Sequence, residues 1–220
     1  KDIVETAIDT YLDRTRHEAT IQYTTHAGHA AEMAREMAGK TDIIVAVGGD
    51  GTVNEVARSL VYPPTALGII PAGSGNGLAR HLRIPMDPAE AMKLINEACI
   101  DKLDYGRING EAFFCTCGVG FDAFISMKFA EAGKRGLSTY IEKTLQDGLS
   151  YRPEVYHIEL DGENETHEAF LIACANASQY GNNAYIAPNA STRDGLLDVT
   201  ILTPFSPLEA PQIVLQLFNR

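Results

Sequence analysis

A glycine-rich turn between an apolar strand and an amphipathic helix constrains the fold of this chain more than any other feature. The turn is Gly48-Gly49-Asp50-Gly51-Thr52-Val53-Asn54, and the apolar run Ile43–Val47 before it is typical of a short buried strand. After the turn, apolar residues recur at helical spacing at Val53, Val56, Ala57 and Leu60. Glycines allow a sharp turn close to a ligand, and a helix start offers unpaired N–H groups to an anion. Asp50 adds a carboxylate that could hold magnesium or orient a reacting group, so the turn predicts a nucleotide triphosphate site.

A second loop of the same kind follows the apolar strand Leu67–Ile70. It is Pro71-Ala72-Gly73-Ser74-Gly75-Asn76-Gly77, and the stretch Leu78–Arg80 after it could begin a helix. The loop is neither a Walker P-loop, which ends in Gly-Lys-Ser/Thr, nor a Rossmann fingerprint with G-x-G-x-x-G spacing. Either loop alone could be a structural turn. Because ligands of open α/β sheets bind at the carboxyl ends of the strands, two such loops on neighbouring strands favour a binding site.

The two motifs together resemble the catalytic domain of the diacylglycerol kinase family, which includes sphingosine, ceramide and bacterial lipid kinases. The resemblance rests on Gly48–Glu55 and Pro71–Asn76 and continues through Leu103–Gly106, Phe113–Asp122 and Asp194–Asp198, so that it covers nearly the whole chain. It implies an α/β nucleotide-binding domain like the phosphofructokinase fold, then an antiparallel β-sandwich domain, with the active site in the cleft between them. It also implies an ATP-dependent lipid kinase, with diacylglycerol as the first candidate acceptor and phosphatidic acid as the product.

The resemblance implies nucleotide contacts from both loops. The residues are Gly48, Gly49, Asp50, Gly51, Thr52, Val53, Asn54, Gly73, Ser74, Gly75 and Asn76. Thr24 matches a further nucleotide-contacting threonine, for which the alternative is a plain helix N-cap. Glu55 is left open as a salt-bridged helix residue or as one that orients the site. Asp50 is also a candidate catalytic residue.

Magnesium ligands should be oxygen atoms, and the resemblance supplies a candidate set. It implies the Asp194 carboxylate and the backbone carbonyls of Ser191 and Leu196, at a magnesium that is largely structural. Asp104 is the second candidate catalytic residue, linked to the magnesium and its water network. Without the resemblance, Arg193–Gly195 would be interpreted as a hairpin turn only.

Two departures from the family pattern bear on activity. Many bacterial relatives have aspartate at the position of Gly77. At this position the chain resembles the eukaryotic branch instead. An Asn-Pro-x-Ser-Gly loop near the start and an Asp-Gly-Glu segment near the end are not found where the pattern has them. Asp161-Gly162-Glu163 has the right letters but comes too early, and we interpret it as a hairpin turn. Because the family's general base lies in the late segment, we expect it beyond Arg220, and a chain that begins at Lys1 suggests a missing N-terminus.

Alternating elements divide the chain after residue 102. The first part predicts strands at 19–24, 43–47 and 66–70, and helices at 3–12, 28–38, 52–60 and 87–98. The second part, 103–220, is rich in strands, which are predicted at 111–118, 155–161, 169–177 and 196–202. A further strand, predicted at 100–108, crosses the boundary between the two parts. One helix is predicted at 137–149. Asp87, followed by Pro88 and Glu90, predicts a capped start for the helix at 87–98, and Asn109-Gly110 predicts a hairpin turn. We therefore expect an ATP-binding α/β domain over 1–102 and a β-sandwich domain, incomplete at its C-terminus, over 103–220.

Composition excludes several other classes. The net charge of −11 over 220 residues argues against nucleic acid as a partner. No apolar run is long enough to span a bilayer, and no signal peptide is evident. The four cysteines form no C-x-x-C pair, which favours reduced thiols and a cytoplasmic location. His26 and His29 have no acidic or cysteine partner nearby in the sequence, so no zinc site is expected.

A lipid substrate at the membrane surface is the partner that the resemblance implies. Docking should be transient and peripheral, and the segment Phe124–Arg135 is the candidate surface, although its aromatic residues could instead be core. A homodimer is left open. Two other functions also stay open: an NAD or polyphosphate kinase, which shares the Gly-Gly-Asp-Gly turn, and a non-catalytic regulatory module that binds a nucleotide. The second loop argues against an NAD kinase, which has an Asn-Glu pair instead.

Overall fold

The chain forms two compact units in the computed structural model, which describes residues 2–121, 123–124 and 151–219. The units are Lys1–Phe114 and Cys115–Arg220, whereas the sequence pattern divided the chain after residue 102. The hairpin at 106–113 stays with the first unit because Arg58 holds it. The Arg58 Nε donates to the Ala112 carbonyl (2.7 Å), and the guanidinium lies 3.4 Å from the Glu111 carboxylate.

The first unit contains helices and strands, and it has the four helices and two of the three strands that the alternating sequence pattern predicts. Its elements are α1 (Asp2–Tyr11), α2 (His29–Met37), β1 (Ile43–Gly48), α3 (Asp50–Ser59), β2 (Ala66–Pro71), α4 (Gly77–His81), α5 (Pro88–Glu97), β3 (Gly106–Ile108) and β4 (Glu111–Phe113). The start of α5 confirms the predicted cap, because the Asp87 carboxylate accepts from the amides of Ala89 (3.0 Å) and Glu90 (3.1 Å).

The strands β1 and β2 pair in parallel. Their register runs from Ile43 opposite Ala66 to Gly48 opposite Pro71. One more bond extends the pairing, since the Ala72 amide donates to the Gly48 carbonyl (2.9 Å). The two strands therefore end together, and both glycine loops leave the sheet at the same edge.

Helices shield β2 on both of its faces. Ile70 is completely buried in a cluster with Ile8 of α1 and with Ala91 and Met92 of α5. The neighbouring Ile69 is also buried, at 5% exposure. Because successive side chains of a strand point to opposite faces, both faces of the strand must be covered, as in an α/β layer structure. On the β1 side, α3 packs against β1 and against α2.

The strand predicted at 19–24 is wrong. The structure gives this segment no regular element, and its apolar side chains remain exposed, with Ile21 at 42% and Tyr23 at 51%. Among the described residues no strand pairs with this segment, so its apolar side chains have no sheet surface against which to be buried. The strand predicted at 100–108 is also shorter than expected, because only Gly106–Ile108 pairs with β4.

The second unit is built from antiparallel strands. Its elements are β5 (Thr116–Gly120), β6 (Glu154–Leu160), β7 (Glu163–Ala169), β8 (Leu171–Ala175), β9 (Gln179–Gly181), β10 (Ala184–Tyr185), β11 (Asp198–Leu202) and α6 (Ala210–Phe218). The strands β11, β8 and β5 form one sheet in that order, and β6–β7 and β9–β10 form two hairpins. The segment predicted as one strand at 111–118 is divided between the units, because the Cys115 carbonyl accepts from the amides of Asn176 and Ala177 in the second unit.

The two predicted hairpin turns are confirmed. Asn109 and Gly110 have φ values of 51° and 88°, and Asp161 and Gly162 have values of 52° and 89°. Two successive left-handed residues are typical of the two-residue turns that join antiparallel strands. Asp161-Gly162-Glu163 is therefore the β6–β7 turn, as interpreted from the sequence.

The candidate docking segment and the predicted helix 137–149 fall mostly outside the described residues, including Lys128, Lys134 and Arg135. Phe124 is described, and it packs in the core of the second unit. Its ring centroid lies 6.5 Å from that of Phe121 and 5.5 Å from that of Tyr151. The core alternative therefore holds for Phe124. Throughout the described part of the chain, no helix has the length and apolar character needed to cross a membrane.

Candidate active site

Both glycine loops follow the predicted order of strand, turn and helix. β1 ends at Gly48 and α3 begins at Asp50, while β2 ends at Pro71 and α4 begins at Gly77. In the first loop the Val53 amide donates to the Gly49 carbonyl (3.0 Å) as the first bond of α3. The amides of Asp50, Gly51 and Thr52 have no acceptor within the helix, because these residues precede the first helical bond. They lie at the positive end of α3, which suits an anion.

Direct contact between the loops explains two of the glycines. A Cβ on Gly49 would lie 3.0 Å from the Gly73 Cα, and a Cβ on Gly73 would lie closer still to the Gly49 Cα. Gly48 is required for a similar reason, since a Cβ there would lie 2.7 Å from both Cβ and Oγ1 of Thr52. Gly49 and Gly73 thus let the two loops pack backbone against backbone, while Gly48 makes room for the Thr52 side chain.

Gly51 is different, because nothing within the chain requires a glycine there. A Cβ built on Gly51 meets no atom within 4 Å, and its φ is not among the positive values of the described residues. The residue is exposed in the first turn of α3, where alanine would favour the helix. The open side of Gly51 is therefore a place where another molecule could approach the backbone.

Asp50 joins the two loops. Its Oδ1 accepts a hydrogen bond from the Gly77 amide at the start of α4, at 2.7 Å. The pattern of residues predicted a carboxylate that faces phosphate or metal, but it gave no sign of this contact. Such a bond between a carboxylate and a helix N-terminus is charge-assisted and fixes the relative position of the loops.

Asn76 holds the second loop in shape. It is buried and has left-handed backbone angles, with φ 54° and ψ 46°. Its Oδ1 accepts from the Gly73 amide (3.0 Å), and its Nδ2 donates to the Gly73 carbonyl (2.8 Å). Arg80 adds a bond from Nε to the Gly75 carbonyl (3.0 Å), while Ser74 stays exposed in the loop. The side chain of Asn76 thus works within the loop, and Ser74 is the exposed hydroxyl.

Thr24 lies in the irregular segment before α2, and side chains from two helices hold that segment. The Glu55 Oε1 on α3 accepts from the Gly28 amide (3.1 Å), and the His29 Nδ1 accepts from the Thr25 amide (3.0 Å). Glu55 therefore makes a specific contact that the sequence left open.

His26 and His29 do have an acidic neighbour, contrary to the expectation from the sequence. Glu32 lies with them, and one potential ligand atom from each residue falls within 4.8 Å of the others. However, the His29 Nδ1 accepts a backbone hydrogen bond, so the neutral ring carries its proton on Nε2. A metal on Nε2 would require the other tautomer and the loss of the bond from the Thr25 amide, so the expectation that no zinc is bound stays a prediction.

The predicted magnesium residues share one exposed turn of the second unit. The Asp194 Oδ1 accepts from the Leu196 amide (3.1 Å), and the Ser191 Oγ accepts from the Arg193 amide (3.2 Å). Gly195 has a φ of 74°. The segment is a turn but does not join a hairpin, because β10 before it pairs with β9 and β11 after it pairs with β8, and the magnesium role stays a prediction. Asp104 lies in the first unit, two residues before β3.

Two family models match consecutive parts of the chain. Residues 1–108 match the diacylglycerol kinase catalytic domain. Residues 116–219 match the YegS C-terminal NAD kinase beta sandwich-like domain. The first match contains both glycine loops, and the second contains the turn with Asp194.

Curated proteins and solved structures give the same picture. A "Probable lipid kinase YegS-like" of Chromohalobacter salexigens is 32% identical over 213 residues, which cover 92% of this chain and 68% of that protein. A "Diacylglycerol kinase" of Bacillus subtilis is 33% identical over 198 residues, covering 87% of this chain and 65% of the relative. A crystal structure of a diacylglycerol kinase from Bacillus anthracis has the same fold, with a TM-score of 0.74 at 24% identity over 98% of this chain and 72% of that chain. The chain thus spans about two thirds of the length of these two curated relatives.

Proposed function

Because this chain belongs to the family of lipid kinases that contains the diacylglycerol kinases and the YegS-like kinases, we propose that it transfers the γ-phosphate of ATP to a lipid hydroxyl. Diacylglycerol is the first candidate acceptor, since relatives that match most of this chain carry the name diacylglycerol kinase. The product would be phosphatidic acid. The family membership rests on the matched sequence, whereas the acceptor is our proposal.

The observation that carries the proposal is the pair of glycine loops at one edge of the β1–β2 sheet. Gly49 and Gly73 bring the loops into contact, and the Asp50 carboxylate fastens the first loop to the start of α4. This arrangement leaves the first amides of α3 and the open side of Gly51 available to a chain of phosphates. Phosphoryl transfer depends mostly on positioning and electrostatics, which a rigid backbone cradle can supply.

Each residue then has a definite task. The amides that begin α3 would bind phosphate oxygens, and the exposed Ser74 hydroxyl would donate to the nucleotide from the second loop. Asn76 would act by keeping that loop in shape. Asp50 would keep the loops together, and its negative charge would orient the reacting groups or their metal.

The turn that contains Asp194 has the donor chemistry of a magnesium site. Its candidate ligands are all oxygens, namely the Asp194 carboxylate and the carbonyls of Ser191 and Leu196, and both Asp194 and Leu196 are exposed. Magnesium there would neutralise negative charge and stiffen the turn. The residues of the chain fit the ion in type, and Asp194 is the one that carries a full charge.

The test is phosphate transfer from radiolabelled ATP by the full-length protein to a panel of acceptors. The panel contains diacylglycerol, sphingosine, ceramide and phosphatidylglycerol in mixed micelles, with NAD as a soluble acceptor. Asp50→Asn is the matched inactive control, because the asparagine oxygen can still accept from Gly77. Label in phosphatidic acid that depends on Asp50 supports the proposal, and label in another lipid corrects the acceptor.

The same assay decides between the two remaining functions. An NAD kinase-like activity is the second candidate, because the family model for residues 116–219 is described as NAD kinase beta sandwich-like. It would transfer label to NAD and to no lipid. A regulatory module would bind ATP without transfer to any acceptor, which a binding measurement on the same sample would reveal.

We also propose that the protein works in the cytoplasm and meets its acceptor at a membrane surface. A hydroxyl of a long-chain lipid lies in the headgroup region, so a kinase must dock there. The net charge of −11 makes general attraction to anionic lipids weak, so docking should depend on a local patch. Flotation with liposomes with and without diacylglycerol tests this. No flotation under either condition would count against a lipid acceptor.

A further inference from the structure

We propose that Glu55 is a positioning residue for the nucleotide, because it fixes the Thr24–Gly28 segment next to the first turn of α3. The inference rests on the proposed function, since it concerns the same nucleotide site.

The contact of Glu55 replaces a cap that α2 cannot make by itself. Gly28 is the N-cap of α2, it has a φ of 86°, and no side-chain hydrogen bond caps this helix. In a capping box, a glutamate three residues after the N-cap would accept from the N-cap amide, but here that position is Ala31. Glu55 supplies the missing acceptor from α3, at 3.1 Å from the Gly28 nitrogen.

Helical spacing places this contact beside the open side of Gly51. Glu55 follows Gly51 by four residues, so the two lie on the same face of α3, one turn apart. Gly28, which is bonded to Glu55, therefore lies on the face of α3 that carries Gly51, one turn further along the helix. Thr24 lies four residues before Gly28, so a ligand that extends from Gly51 along this face would meet the segment that Glu55 holds.

A second bond ties the segment to α2. The His29 Nδ1 accepts from the Thr25 amide, so one side chain holds each end of the stretch between Thr25 and Gly28. α2 and α3 are also joined where the Ser59 hydroxyl donates to the Ala31 carbonyl (3.1 Å). Loss of Glu55 should thus release the segment without separating the helices. A segment that is already ordered binds a ligand more tightly, because less conformational freedom is lost on binding.

The experiment compares Glu55→Ala with Glu55→Gln by two independent measurements on the purified protein. Amide hydrogen exchange of a peptide over residues 24–33, without nucleotide, reports the order of the segment. Titration with magnesium-ATP reports the affinity. We expect Glu55→Ala to speed the exchange of this peptide and to weaken ATP binding about tenfold, which is the effect of one charged hydrogen bond. Glu55→Gln keeps an acceptor oxygen and should restore most of both.

Two further variants sharpen the result. Glu36→Ala is the matched control, because it removes an exposed carboxylate from α2 and should change neither measurement. If Glu55→Ala does not fold, Glu55→Asp takes its place, since it keeps the charge but is too short to reach Gly28 in the same geometry. Faster exchange with unchanged ATP affinity would overturn the positioning role, and so would unchanged exchange. If the wild type binds no ATP, the proposed function fails instead, and the exchange data still show whether Glu55 orders the segment.

Discussion

Replacing Gly51 with alanine should change stability and ligand binding in opposite directions. Most other substitutions in this site should change both together. The structure leaves space for the new methyl group, because a Cβ on Gly51 meets no atom within 4 Å. Alanine is a better helix former than glycine by about 0.5–1 kcal/mol in a helix interior, and in the first turn of α3 we expect about 0.5 kcal/mol. The melting temperature should therefore rise by about 1–2 °C.

ATP binding should change in the opposite direction. The methyl group would stand where we expect phosphate oxygens to reach the amides of α3. The loss of one charge-assisted hydrogen bond costs about 1.5–3 kcal/mol, which is roughly tenfold to a hundredfold in affinity. Differential scanning fluorimetry and titration with magnesium-ATP on the same samples measure both effects.

Gly73→Ala is the matched comparison for this experiment. There the new Cβ would overlap the backbone of Gly49 and lie 2.9 Å from the Asn76 Oδ1, so the two loops must move apart. This variant should lose stability, by about 1–3 kcal/mol, as well as ATP affinity. If Gly51→Ala binds ATP as tightly as the wild type, the open side of Gly51 is not the phosphate site. If it melts several degrees lower, Gly51 has a structural role and the reasoning from free space is wrong.

Three further predictions concern the side chains of the two candidate sites. Asp50→Asn should melt within about 2 °C of the wild type yet lose at least a hundredfold in transfer rate. Asp50→Ala also loses the bond to Gly77, so it should melt lower still. Equal activity of Asp50→Asn and wild type would contradict the assignment. Asp194→Ala should abolish most of the stabilisation that magnesium gives the wild type, so that a chelator lowers the melting temperature of the wild type only; an equal shift in both would leave Asp194 a turn residue. Asn76→Ala should lower stability by about 1–3 kcal/mol in chemical denaturation, because both bonds to Gly73 are lost in a buried loop, and Ser74→Ala, at an exposed position, serves as its control.

The sequence determined the elements of the first unit where local patterns are strong. The apolar runs of β1 and β2, the cap of α5 at Asp87 and the glycine turn before α3 each depend on neighbouring residues, and each is found where it was predicted. The hairpin turns at Asn109-Gly110 and Asp161-Gly162 are equally local. The family could also be identified from the sequence, because the motifs that mark it are contiguous.

Tertiary structure decided what depends on distant neighbours. The segment 19–24 has the alternation of a strand, but a strand needs a partner, and none pairs with it in the described part of the chain. The hairpin at 106–113 belongs to the first unit because Arg58, far away in the sequence, holds it. The sequence pattern could reveal neither the missing partner of 19–24 nor the contacts of Arg58, since pairing between remote residues leaves no local trace.

The same distinction applies inside the candidate site. The sequence identified Asp50, Asn76 and Glu55 as residues of interest, but only the folded chain shows that Asp50 binds the Gly77 amide and that Asn76 closes its own loop. It also shows that Glu55 caps a helix other than its own. Motif and spacing determine which residue types are near a turn. The packing of the helices and loops sets which backbone amide donates to each carboxylate. That packing appears only in three dimensions.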